Sequence, residues 1–308
     1  MTSIDTMADA IFAAHHQTFA PAAAPPTQGP ASVSSVAADD PVYRAATRAC
    51  AQLGFIDIDA ETLGRAWRAQ TLRLGHFDAT LWPVHPADFS LRPWPRSDAF
   101  APCPRQLGLY AVLPDAAWVA RIAKAGVPTL QLRFKSTDAD DVRREVEAAV
   151  QAVQGTQSLL FINDHWQAAI DAGAYGVHLG QEDLDALAPA DLATLRASGL
   201  RLGVSTHGYA EMLRADAVSP SYIAMGAVFP TTLKQMATAP QGIARLNAYA
   251  QLMHDHALVA IGGIDAERVP AVLHSGVGSV AVVRAITAAA APEAAARALM
   301  ARLAAGPR

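Results

Sequence analysis

Cysteine is almost absent from this chain. Only Cys50 and Cys103 occur among 308 residues. Two scattered thiols make neither a disulfide framework nor a zinc cluster, so reduced thiols in a cytoplasmic protein are expected. Charge is also sparse. Charged residues make up 17% of the chain and the net charge is −4, which leaves no basic footprint for nucleic acid. Any anionic ligand must then be held by local cations rather than by overall charge. Apolar residues reach 52%, yet no polar-free run attains the roughly 18–20 residues that a membrane span needs. The N-terminus has no basic segment followed by an apolar core, so a secretory leader is not expected.

What is present divides the chain in two. Residues 1–40 are rich in Ala, Pro, Ser, Thr and Gln, a composition that predicts a disordered tail. Residues 41 to about 74 carry helical spacing, with Tyr43, Ala46, Cys50 and Leu53 on one face and Trp67 and Leu72 on a second. Residues 75–105 bring repeated prolines interleaved with Trp82, Trp94 and Phe100, which predicts an extended strap over an apolar surface. The whole of 41–105 reads as a helical and proline-rich extension without a catalytic motif.

After Gln106 the pattern becomes regular. Apolar runs at about 107–113, 128–132, 158–162, 175–179, 201–204, 221–225, 258–261 and 278–283 alternate with segments of helical spacing such as 115–125, 138–153 and 269–274. Eight such units in residues 106–308 indicate an α/β fold, a parallel (β/α)8 TIM barrel. An open doubly wound sheet does not naturally use eight equal units. Active sites in barrels form at the C-terminal ends of strands, and every polar motif of this region falls there.

Gln131, Arg133 and Lys135 alternate at the end of strand 2, pointing to one side. Arg and Lys together can grip a diphosphate, although a solvated strand end is an equal reading. Asn163-Asp164 ends strand 3 and would serve as a helix N-cap. Asp183, after strand 4, changes that reading, because carboxylates on adjacent strand ends can share one hard cation such as Mg2+. Glu182 stands beside Asp183 with its direction open, and His178 reads equally as a core histidine or a ligand contact. Thr231, Thr232 and Lys234 open a long loop after strand 6, of the kind that often acts as a lid. Gly262-Gly263 ends strand 7 and Val283-Arg284 ends strand 8, where barrels commonly bind phosphate.

In order, Gln-x-Arg-x-Lys, Asn-Asp, Gly-Gln-Glu-Asp, Val-Ser-Thr-His, Phe-Pro-Thr and Ile-Gly-Gly-Ile resemble the thiamine phosphate synthase family over about 107–304. The resemblance implies a transferase of thiamine biosynthesis. It would join a hydroxymethylpyrimidine diphosphate to a thiazole phosphate, with pyrophosphate release and Mg2+ as cofactor. It implies that Arg133, Lys135, Asn163 and Lys234 contact the diphosphate and that Asp164 and Asp183 bind magnesium. Gln131 and Ser205 would hydrogen-bond the aminopyrimidine, with Tyr110 and His178 near it. Thr231, Gly263, Val283 and Arg284 would surround the thiazole phosphate. The implied partners are small-molecule substrates, with no nucleic acid and no membrane; homo-oligomerisation stays open.

Three positions depart from the family pattern: Phe134 replaces an acidic residue, Leu233 a threonine and Arg284 a serine. A thiazole tautomerase, a related barrel, would need neither the diphosphate clamp nor the metal. A non-catalytic barrel that binds thiazole or thiamine phosphates could lose the carboxylates without penalty. The retained Arg133, Lys135, Asp164, Asp183 and Lys234 argue against both.

Overall fold

The computed structural model describes residues 3–19, 39–231 and 239–306. Three helices come first: α1 (Ile4–Phe19), α2 (Pro41–Gln52) and α3 (Asp57–Leu74). Local chemistry sets their ends. Asp40 Oδ1 accepts from the backbone N–H groups of Val42 and Tyr43, with Pro41 at the first helical position. Gly75 closes α3 with φ +78°, a left-handed cap suited to glycine.

Eight strands follow: β1 (Gly108–Leu113), β2 (Thr129–Leu132), β3 (Leu159–Asn163), β4 (Gly176–Leu179), β5 (Arg201–Thr206), β6 (Tyr222–Met225), β7 (Leu258–Ile261) and β8 (Ser279–Val282). All neighbours pair in parallel, and β8 pairs with β1, so the barrel is closed. The intervening helices are α4 (Ala116–Lys124), α5 (Ala139–Val153), α6 (Trp166–Asp171), α7 (Gln181–Ala186), α8 (Pro189–Ala197), α9 (Tyr209–Ala217), α10 (Gly242–Leu252), α11 (Val269–Leu273), α12 (Arg284–Thr287) and α13 (Pro292–Ala304). The eight apolar runs of the sequence thus become the eight strands.

Alternation along each strand separates two cores. Leu109, Ala111 and Leu113 face the helices, whereas Tyr110 and Val112 join Leu107, Phe161, Tyr222, Ala224, Val259 and Ala281 in a separate cluster inside the barrel. The rings of Tyr110, Phe161 and Tyr222 lie 5.1–5.9 Å apart. Gly203 makes room for them, because a Cβ there would run into the Tyr222 ring. The lumen is therefore filled at this level.

The extension packs against α9 and α10. Phe55, Trp82 and Phe89 surround Tyr209, the first residue of α9, and Trp82 Nε1 donates to Tyr209 Oη at 2.9 Å. Arg245 on α10 donates to Gly54 O at 2.9 Å and stacks 4.0 Å over the Phe55 ring. At the far end of α9 the strap contributes Arg96, which meets Asp216 at 2.7 Å; His256 holds the same carboxylate oxygen at 2.7 Å. Burial works against the Asp216 charge. The hydrogen bonds from His256 and Arg96 outweigh it and hold the carboxyl below its usual range.

Two expectations need correction. Residues 4–19, read as part of a disordered tail, form α1, with Met7, Ala8, Ile11 and Phe19 buried against α2, Phe55 and Trp82. Their apolar residues recur at helical spacing, but averaging over forty residues hides them among the prolines that follow. The remainder of that tail, 20–38, lies outside the described residues. Leu72, expected to share a face with Trp67, is 66% exposed whereas Trp67 is fully buried, so it points away from the side of α3 that carries Leu63 and Trp67.

Deleting residues 1–19 should therefore lower stability. Burying Ile11 or Phe19 alone contributes about 1.5–3 kcal/mol, and a lower thermal midpoint than full-length protein is the expected result. Asp59, 3% exposed, gives a pH signature. Burial pushes its carboxyl up to about 6, against the opposing Ala210 N–H and Arg245. A folded-state pKa above the unfolded one means that folding weakens as pH rises from 3.8 through 6. Asp59→Asn should remove that slope and raise stability near pH 7 by on the order of 2–3 kcal/mol, read from denaturant unfolding at several pH values.

Candidate active site

The polar motifs gather at the C-terminal rim, above the aromatic plug. Gln131 and Asn163 are side by side on β2 and β3, both buried, with Gln131 Nε2 donating to Asn163 Oδ1 at 2.7 Å. Next round the barrel, His178 on β4 is held at both ring nitrogens. Nδ1 meets Tyr222 Oη at 2.7 Å, and Nε2 meets Ser205 Oγ at 2.7 Å. Tyr222 Oη also meets Tyr110 Oη at 2.8 Å. A continuous chain of side chains therefore runs from Tyr110 inside the plug, through Tyr222 and His178, to the Ser205 hydroxyl. Burial holds the His178 ring far below its ordinary range, at about 4, with Asp164 pulling weakly the other way. The ring is neutral near pH 7, so one nitrogen donates and the other accepts.

The carboxylates lie beside this chain. Asp164 follows β3 in the left-handed region, φ +64°, and its Oδ2 accepts from Lys135 Nζ at 3.0 Å. The helix-cap reading of Asn163-Asp164 does not hold, because His165 occupies the N-cap position of α6 and makes no side-chain cap there. Asp183 sits in the first turn of α7 and its Oδ2 accepts from Gly180 N–H at 3.0 Å. Burial first, and the neighbouring Asp164 carboxylate second, push the Asp183 carboxyl above the usual range; Gly180 N–H and Lys135 pull it back. Two neighbouring carboxylates at the rim, one of them paired with Lys135, are a donor set suited to a hard divalent cation such as Mg2+. Among the described residues no third acidic, cysteine or histidine side chain completes a denser cluster.

Arg133 and Lys135 are exposed beyond the end of β2, while Phe134 between them packs on the outer core. Glu182 is exposed. Across the rim, the segments after β6 and β7 are zipped together: Val228 N–H donates to Ile261 O at 2.9 Å and Phe229 N–H to Gly262 O at 3.0 Å. Gly262 and Gly263 adopt φ of +105° and +64°, and a Cβ on Gly263 would lie 2.6 Å from Pro230 O. That contact sets Thr231, the next residue, beside the glycine turn. Val283 and Arg284 begin α12 after β8, with Arg284 exposed. Thr232, Leu233 and Lys234 lie outside the described residues.

Sequence reasoning missed two participants. Tyr222 is the link between Tyr110 and His178, and its even alternation with Ala224 in β6 was a legible signal of a lumen position. Gln181 Nε2 donates to Ser205 O at 2.7 Å and so ties α7 to β5; only its place beside Glu182-Asp183 hinted at this. The expected titration of His178 is directly testable. Its ring resonances should show no inflection between about pH 5 and 8, followed by NMR on imidazole-labelled protein.

Comparison with known proteins identifies the family. A family model described as thiamine monophosphate synthase matches residues 109–286. The thiamine-phosphate synthase of Neisseria meningitidis serogroup B is 55% identical over 202 residues, 66% of this chain and 97% of that protein. That of Cronobacter sakazakii is 55% identical over 188 residues, 61% of this chain and 88% of that protein. Among solved structures, a thiamine phosphate pyrophosphorylase from Pyrococcus furiosus superposes with a TM-score of 0.58 at 26% identity, covering 65% of this chain and 98% of that one. The match to the family model begins only after the N-terminal extension. From β1 to α12 the motifs, the closed barrel and these relatives agree, and the chain belongs to the thiamine monophosphate synthase family.

Proposed function

We propose that this enzyme joins 4-amino-2-methyl-5-hydroxymethylpyrimidine diphosphate to 4-methyl-5-(2-phosphooxyethyl)thiazole, giving thiamine phosphate and pyrophosphate. The reading rests on family membership. The observation that carries its chemistry is the pairing of Asp164 with Asp183 at a rim that also presents Lys135 and Arg133. In the proposed reaction the bond between the pyrimidine methylene carbon and the diphosphate oxygen breaks, and its electron pair leaves with pyrophosphate. The thiazole nitrogen then donates its lone pair to the methylene cation. No proton is consumed and no side-chain nucleophile is needed.

Arg133, Lys135, Asn163 and Lys234 bind the diphosphate in this scheme, and the positive charge of Arg133, Lys135 and Lys234 favours its departure. Gln131 and Ser205 take the aminopyrimidine. Neutral His178, fixed by Tyr222, orients the Ser205 hydroxyl, while Tyr110 closes the floor below it. Thr231, Gly263, Val283 and Arg284 surround the thiazole phosphate and align the acceptor nitrogen. Asp164 and Asp183 hold Mg2+, which when bound supplies positive charge to the diphosphate. A cytoplasmic location fits the two free thiols, and among the described residues no helix is long and apolar enough to cross a membrane.

The reaction is tested by incubating the purified protein with both substrates and Mg2+ and detecting thiamine phosphate; no product would overturn the reading. Activity should vanish on exhaustive chelation and return with Mg2+. Asp183→Asn should lower kcat by about 10²–10³, because the amide lacks the charge that holds the cation. It should leave the thermal midpoint unchanged or raised, since asparagine caps as well as aspartate and relieves the strain against Asp164. Wild-type kcat at saturating Mg2+ would remove Asp183 from the metal site.

A further inference from the structure

The extension, which lies outside the family match, places one carboxylate, Asp59, at the start of α9. Only two residues, His207 and Gly208, separate β5 from α9, so the turn Thr206-His207-Gly208 connects the strand that carries Ser205 to the helix. The first N–H groups of a helix have no partner within it. At the N-cap of α9 stands Gly208, which has no side chain to offer. Asp59 of α3 fills that role from outside the barrel: its Oδ1 accepts from Ala210 N–H at 2.9 Å, with the Tyr209 N–H beside it. Glycine is required at 208, since a Cβ would run into the Asp59 carboxylate.

The turn is held from within the barrel as well, where Thr206 Oγ1 donates to Ala224 O at 2.9 Å. Glu211 Oε2 accepts from His207 N–H at 2.8 Å and meets His207 Nδ1 at 2.7 Å. Asp59 itself is fixed in depth by its surroundings. Tyr209 is fully buried beneath Phe55, Trp82 and Phe89, and Arg245 of α10 is anchored to Leu53 O and Gly54 O. The extension thus grips the first turns of the helices after β5 and after β6, the two units that flank Ser205 and Thr231.

We propose that Asp59 is a positioning residue for the reaction: it caps α9 from the extension and so fixes the turn that sets Ser205 against His178. The proposal rests on the activity proposed above. A displaced Ser205 would misalign the aminopyrimidine against the thiazole nitrogen, and such a loss of orientation falls on kcat more than on KM.

The test is steady-state kinetics with amide hydrogen exchange across residues 205–212 in full-length protein. Asp59→Ala should lower kcat by about tenfold, change either KM by less than about threefold, and speed exchange at the first turn of α9 by about tenfold or more. Adding Gly208→Ser to Asp59→Ala supplies a cap from the helix's own N-cap position, and should restore both kcat and exchange to within about threefold of wild type. Asp59→Asn keeps an acceptor and should stay close to wild type. If Asp59→Ala fails to fold, Gly208→Ala gives the same reading, since its methyl group displaces the carboxylate and should reproduce the kcat loss. Wild-type kcat and exchange in folded Asp59→Ala would overturn the proposal, as would a kcat loss that persists in the double variant after exchange is restored. A wild-type chain that makes no thiamine phosphate would sink the proposed reaction instead, and the exchange data would still decide whether Asp59 orders the turn.

Discussion

A closed ring of eight parallel strands leaves an interior that must be filled, and the way it is filled here determines the site. Tyr110, Phe161 and Tyr222 plug the lumen, and aromatic hydroxyls buried this deeply require partners. Tyr222 finds two, Tyr110 below and His178 above. The histidine, kept neutral by burial, passes the order upward to Ser205. The floor of the site and the direction of its serine hydroxyl are consequences of one packing solution. Gly203 belongs to that solution, because any larger residue would displace the Tyr222 ring.

The rim above the plug carries charges that the barrel interior could not tolerate. Lys135, Asp164 and Asp183 meet where solvent reaches them, and the raised proton affinity of Asp183 records first its partial burial and then the Asp164 carboxylate beside it. On the opposite arc, backbone hydrogen bonds between the segments after β6 and β7 leave glycine turns and main-chain groups, chemistry suited to a phosphate. The rim is polarised, with its carboxylates on one side and its glycine turns on the other.

Much of this was legible in the sequence. Parallel strands are buried on both faces and so appear as continuous apolar runs. All eight runs from 107–113 to 278–283 became strands. Gln131, Asn163, His178 and Ser205 were recognisable from their places at those ends. Asp59 was not. It is one acid among several in α3, and its partner at Ala210 is 151 residues away, a pairing that no local pattern encodes. Helix α1 escaped notice because its apolar stripe is short and adjoins a proline-rich stretch. Tyr222 was visible as a strand residue, but its hydrogen-bond role depends on which ring faces it across the lumen.

The clasp between the extension and α9–α10 has a temporal side. Residues that leave the ribosome first are the ones that must wait longest for their partners. Gly54 meets Arg245 across 191 positions of chain, and Asp59 meets Ala210 across 151. At about 5–20 residues per second, synthesis leaves Asp59 without its helix for roughly 8–30 s. During that interval Phe55, Trp67 and Trp82 have only one another and α1 to shelter against. The contacts that hold the extension to the barrel thus become available only once the helices after β5 and β6 have been made.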